Sequence, residues 1–286
     1  MTNRLAGLTA PRAIVAAGGT LAGSRGDRAT APAAPGRFPG VSALRQLLVA
    51  DLGTRSYTEV LHLQRAAARA RLDGSLDQDV LFLVEHPPVV TLGRSARDPA
   101  HLHATPELLA ARGVELFDVE RGGDVTFHGP GQLVGYPIVD LNRHTLDLHW
   151  YLRQLEAVVI RAIGEFGIPG ERIRGQTGVW TDGRKIASIG VHARQWVTWH
   201  GFALNVTTDL SYFDLMVPCG IAGVTMTSVE QELLRRADGV CHAPSPALGQ
   251  EVREAVVRAV CAVFALDPVM TGDAALQTRI ATATRR

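Results

Sequence analysis

The run Val80-Leu81-Phe82-Leu83-Val84 is short, continuously apolar and rich in β-prone residues. A strand without a polar face is buried on both sides, so it belongs in the middle of a sheet with further layers above and below it. Glu85-His86-Pro87-Pro88 ends the run. A fold built around it needs helices for both faces. Between Tyr57 and Leu72, apolar Val60, Leu61, Leu63, Ala67 and Ala70 mix with Arg65, Arg69 and Arg71 in the pattern of a helix lying on a sheet. Asp147 to Phe166 carries a stronger stripe through Leu148, Leu152, Leu155, Val158, Val159, Ala162, Ile163 and Phe166, closed by Gly167. Pro246 to Phe264 supplies another, with Val252, Val256, Val260 and Val263 inward, and a shorter helix starts at Pro106 and stops at Gly113.

Further strands are predicted at 47–52, 114–119, 133–141 and 200–206. Val179-Trp180-Thr181, Asp182-Gly183 and Arg184 to Val191 form a β-hairpin signal, because Asp-Gly supplies the positive φ angles of a tight turn. Strands and helices intersperse without strict alternation, which predicts one α/β or α+β domain with a mixed sheet. Its bounds are set at 44–270. Residues 1–43, rich in Ala, Gly, Arg and Pro with no sustained apolar period, are expected to be a disordered extension, and 271–286 a flexible tail.

With 29 basic and 28 acidic residues the net charge is +1, which gives no electrostatic reason to expect nucleic acid or a membrane as partner. No run of about 18 apolar residues could span a bilayer. The three cysteines, Cys219, Cys241 and Cys261, lack zinc spacing and are too few for a disulfide framework, so a cytoplasmic setting is expected. Cys241 and Cys261 read as structural or incidental.

Two segments invite chemistry. Arg121-Gly122-Gly123-Asp124-Val125-Thr126-Phe127-His128, continued by Gly129-Pro130-Gly131-Gln132, has glycines that let backbone approach a ligand, yet it is neither a Walker A loop nor GxGxxG. Pro218-Cys219-Gly220 places a thiol in a tight turn. A lone cysteine can be a small buried hydrophobe or a nucleophile, and its residues alone leave both open. Lys185 heads a strand face shared with Ala187, Ile189 and Val191 under period-two alternation. Such a lysine either snorkels to water or sits in an apolar pocket, where burial would lower its pKa from about 10.4 and suit it to exchange a proton with a thiol. His200 is open between ligand and structural residue.

Five ordered blocks resemble the bacterial octanoyltransferases, the lipoate-protein ligase B family. They are Leu83 to Pro88, Arg121 to Gln132, Gly183 to Gly190, His200 to Asn205 and Val217 to Ile221. The resemblance implies the biotin/lipoate-protein ligase-like fold, a larger mixed sheet plus a smaller sheet flanked by helices. It implies transfer of octanoyl from the phosphopantetheine thioester of acyl carrier protein to a lysine of apo lipoyl domains, in 2-oxoacid dehydrogenase complexes and glycine cleavage H protein. Cys219 would carry the acyl thioester and Lys185 would lower the thiol pKa. Arg121 to His128, Ser188-Ile189-Gly190 and Gly201-Phe202-Ala203 match the acyl-binding segments. Backbone N–H groups at Cys219 and Gly220 are expected to stabilise the oxyanion. No ATP, metal or other cofactor is expected, and a monomer is. The rivals are an ATP-dependent lipoate or biotin ligase on the same fold and a non-catalytic binder of acyl carrier or lipoyl domains.

Overall fold

The computed structural model describes residues 45–96, 98–221, 223–236 and 245–283. The expected disordered segment 1–43 and Cys241 lie outside them. The strands are β1 (Arg45–Thr54), β2 (Asp79–Glu85), β3 (Val89–Leu92), β4 (Glu115–Asp118), β5 (Val125–His128), β6 (Gln132–Ile138), β7 (Glu171–Ile173), β8 (Gln176–Thr181), β9 (Arg184–Arg194), β10 (Val197–Asn205) and β11 (Leu266–Met270). The helices are α1 (Tyr57–Leu72), α2 (Pro106–Ala111), α3 (Leu148–Gly164), α4 (Val229–Arg236), α5 (Leu248–Phe264) and α6 (Asp273–Ala283).

Among the described residues there is an eight-stranded sheet, ordered β11-β1-β2-β6-β10-β9-β8-β7, and a three-stranded sheet, β4-β3-β5. Only β11, β1 and β2 run parallel within the larger one; its other neighbours are antiparallel. The apolar run lies in β2, with Val80 to Val84 buried. Leu81 and Leu83 face the cluster built with α3 and α5, where Leu155, Val159 and Val256 are fully buried. Val80, Phe82 and Val84 face the cluster that takes in Val60, Ala67 and Ala70 of α1. Each such side chain contributes about 1.5–3 kcal/mol by leaving water. The smaller sheet has its own core, Val90, Leu109, Val125, Phe127, Phe213 and Leu215. No helix among the described residues is long and apolar enough to cross a membrane.

The structure corrects the expected flexible tail. Residues 273–283 form α6, whose Leu276 and Ile280, one turn apart, are buried against the α1 face of the sheet. Asp273 pairs with Arg55 at the start of that helix. The edge strand β11, which pairs with β1 from Arg45↔Leu266 to Val49↔Met270, was also unforeseen.

Candidate active site

The hairpin turn forms as its sequence requires, with Asp182 at φ 45° and Gly183 at φ 75°. Along its second strand the alternation breaks. Val179 pairs with Ala187 and Trp180 with Lys185, leaving Ile186 as an extra residue between them. A bulge of this kind shifts which side chains share a side. Lys185 was expected on the face of Ala187 and Ile189, but it reaches the same sulfur as Ser188. Lys185 Nζ lies 3.1 Å from Cys219 Sγ, and Ser188 Oγ lies 3.6 Å from it. The lysine is fully buried, with Nζ 4.9 Å from the Trp180 ring centroid and 3.4 Å from Thr177 O.

Backbone pairing fixes this meeting. Lys185 N–H donates to Thr225 O at 2.8 Å and Thr227 N–H to Lys185 O at 2.9 Å, so the chain leaving the cysteine turn is stitched beside the start of β9. Asn205 Nδ2 donates to Thr227 O at 2.9 Å. Glu232, fully buried at the head of α4, accepts from Arg184 at 2.8 and 2.9 Å, from Thr227 Oγ1 at 2.6 Å and from Arg236 at 2.6 Å. Burial acts to raise its pKa, but the bonds from Arg184, Thr227 and Arg236 outweigh it and hold the carboxyl down at about 2.

A cavity of about 240 Å³ adjoins the sulfur, between β5 and the β6-β10-β9 part of the larger sheet. Of the residues expected there, Arg121, Gly123, Asp124, Thr126, His128, Ser188, Ile189, Gly190, Gly201, Phe202, Ala203 and Cys219 line it. Val125 and Phe127 do not. As alternate residues of β5 they turn into the small sheet's core, where Phe127 stacks on Tyr212 at 4.5 Å. Gly122 is taken up by the backbone, its N–H donating to Val191 O at 2.8 Å. Tyr57, Val134, Tyr136, Gly175, Gln176, Thr177 and Ile221 complete the wall unforeseen, as does His200, which the sequence left open. Nothing in a helix-starting Tyr57 or a strand Tyr136 marks it from sequence as cavity-lining.

The cavity combines apolar walls at Val134, Ile189, Phe202 and Ala203 with a buried polar end. Burial lowers His128 to about 3 and, behind it, His86 to about 4, so both imidazoles are neutral near pH 7. His86 Nδ1–H donates to Arg55 O at 2.8 Å, and Tyr136 OH donates to His86 Nε2 at 2.9 Å. His128 Nδ1–H donates to Gln132 Oε1 at 2.8 Å, and Gln132 Nε2 to Asn205 Oδ1 at 2.9 Å. Arg121 is buried, donating from Nη2 to both Thr91 O and Thr91 Oγ1 at 2.8 Å. Burial lowers its pKa, opposed by attraction to the ionised forms of Tyr57 and then Cys219.

One expectation about the oxyanion is corrected. The correction concerns Gly220, whose N–H donates to Val217 O at 2.9 Å and is used in closing the turn, as is that of Ile221, which donates to Pro218 O at 3.1 Å. The polar side-chain groups placed directly at the sulfur are Lys185 Nζ and Ser188 Oγ. Cys261 is half-buried against the α3–α5 side of the core, away from this chemistry.

Residues 56–243 match the model of the lipoyl protein ligase A/B catalytic domain. The chain is 48% identical over 229 residues to the octanoyltransferase of Chloroflexus aggregans, covering 79% of this chain and 98% of that protein. It is 53% identical over 184 residues to the octanoyltransferase of Rubrobacter xylanophilus, covering 64% of this chain and 82% of the relative. In fold it is similar to a lipoate-protein ligase A solved with ATP, at TM-score 0.59 and 16% identity over 85% of this chain and 95% of the other. A bipartite lipoate protein ligase of Thermoplasma acidophilum gives TM-score 0.59 and 17% identity over 85% and 93% of the two chains.

Proposed function

The chain belongs to the lipoyl protein ligase A/B catalytic-domain family and, within it, to the octanoyltransferases, and on that footing we propose that it transfers octanoyl from octanoyl-acyl carrier protein to a lysine of apo lipoyl domains through an acyl-Cys219 thioester. The observation that carries the catalytic part is the 3.1 Å contact between Lys185 Nζ and Cys219 Sγ beside a cavity with apolar walls. An ordinary thiol with a pKa near 8.5 is only a few per cent thiolate at pH 7, so a neighbouring amine that takes its proton increases the nucleophile available.

In the first half-reaction the Cys219 thiolate adds to the thioester carbonyl carbon. The carbon–sulfur bond to phosphopantetheine breaks, and the leaving thiolate takes the proton held by Lys185. In the second half, Lys185, now neutral, accepts a proton from the incoming acceptor amine as that amine attacks the acyl-Cys219 carbonyl. An amide forms and the Cys219 thiolate leaves. The donor is already a thioester, so neither ATP nor a metal enters the scheme. The acyl chain lies along Val134, Ile189, Phe202 and Ala203. Acceptors are lipoyl domains of 2-oxoacid dehydrogenase complexes and glycine cleavage H protein, and the setting is the cytoplasm.

The rival ligase reading shares the fold, so fold similarity does not separate the two. The thiol held at the lysine favours the transferase, because a ligase acting on an acyl-adenylate has no use for it. The test is transfer from octanoyl-acyl carrier protein to an apo lipoyl domain without nucleotide, followed by the intact mass of the acceptor. The expected result is a gain of one octanoyl group, and a strict requirement for ATP would overturn the proposal.

A further inference from the structure

Cys219 stands at φ 56°, ψ 21°, in the left-handed region. For a residue with a side chain this costs roughly 1–2 kcal/mol, so it persists only where surroundings enforce it. On one side the turn is tied to β9 through Thr225 and Thr227. The other side rests on a strap formed by residues 101–104. Val217 N–H donates to His101 O at 2.8 Å, and His103 and Ala104 N–H donate to Leu215 O at 2.9 and 3.0 Å. Leu102 and Met216 form an isolated antiparallel bridge within the same tie.

What anchors the strap is an Asp–His pair. Asp124 Oδ2 accepts from His101 Nδ1–H at 2.8 Å, while Asp124 Oδ1 accepts from Val125 N–H at 2.7 Å. On the far side of the ring, Asp98 Oδ2 lies 3.9 Å from His101 Nε2. Gly220 backs directly onto the pair. A Cβ there would lie 2.6 Å from Asp124 Oδ2 and 3.1 Å from His101 Cε1, in a residue already at φ 67°. Asp124 lines the cavity beside Cys219, yet its carboxylate is committed to holding the turn.

We propose that Asp124 and His101 are positioning residues, which press the Cys219–Gly220 turn forward so that the thiol stays within reach of Lys185. This rests on the reading of Cys219 as the acyl-accepting thiol, but its test needs no acyl donor. The two accounts of Asp124 differ in sign. As a mere negative charge near the sulfur, its removal would ease ionisation of the thiol. As a positioning group, its removal separates thiol from amine and hinders ionisation.

The experiment is the rate of iodoacetamide alkylation at Cys219, located by peptide mass, from pH 6 to 10 in the full-length protein. Asp124→Ala is expected to slow it about tenfold at pH 7 and less than about twofold at pH 10. In a Lys185→Ala background the same substitution should change the pH 7 rate less than about twofold, because the contact it protects is already gone. An unchanged profile, a faster reaction at pH 7, or the full tenfold loss without Lys185 would overturn the proposal. Should Asp124→Ala fail to fold by circular dichroism, His101→Ala is read by the same outcomes.

Discussion

Gly178 makes room for Lys185. A Cβ at position 178 would lie 3.0 Å from Lys185 Cε and 2.7 Å from Ala187 O, and the residue sits at φ 136°, where side chains are strained. The bulge that turns the lysine toward Cys219 thus depends on a missing side chain in the neighbouring strand.

Gly178→Ala should therefore displace the amine. We expect octanoyl transfer to fall at least about tenfold, with a stability loss of about 1–3 kcal/mol from the crowding. Gly164→Ala, where a Cβ meets nothing within 4 Å, is the control and should keep full activity. Transfer assays with urea denaturation on the two variants measure both effects.

Lys185→Ala should slow alkylation of Cys219 near neutral pH far more than at pH 9 to 10, because at high pH the thiol ionises without help. Equal slowing at both would mean that Lys185 does not govern thiol ionisation.

Glu232 joins Arg184, the residue before Lys185, to Arg236 and Thr227. Glu232→Ala strands two arginines, one of them at the start of β9, and should cost about 1–3 kcal/mol by urea denaturation, the arginines being part-exposed. Arg258→Ala, which breaks an exposed pair with Glu165, should leave the unfolding midpoint unmoved.

Acid should weaken the fold in two stages. His86 and His128 are depressed to about 4 and about 3, so their contribution is complete above the unfolded histidine pKa near 6.5 and is lost as pH falls toward those values. Glu232, depressed to about 2, contributes fully above about 4.3 and loses its share between there and about 2. Melting temperature should decline from pH 6.5 downward. His86→Gln should flatten the first stage, and an identical slope in that variant would contradict it.

Much of this arrangement was legible because local pattern and global burial agree. The five apolar residues of β2 required layers on both faces, and α1 and α3 supply them. The Asp182-Gly183 turn fixed the hairpin. What was hidden depends on register and tertiary contact. Strict alternation misplaced Lys185, because the extra residue at Ile186 is visible only once β8 pairs with β9. The same alternation, had it been applied to β5, would have separated Thr126 and His128 from Val125 and Phe127. Among its described side chains α6 carries Leu276 and Ile280 as buried anchors, too few to stand out as an amphipathic stripe. The support of the cysteine turn by His101 and Asp124 joins residues that sequence reading had no reason to bring together.

The central claim is that Cys219 carries the acyl group. The direct measurement is the intact mass of the enzyme after incubation with octanoyl-acyl carrier protein alone, with peptide mapping. The account predicts one octanoyl group on Cys219, released onto an added apo lipoyl domain and absent in Cys219→Ser. No adduct on an active enzyme, or one mapping to another cysteine, would contradict it.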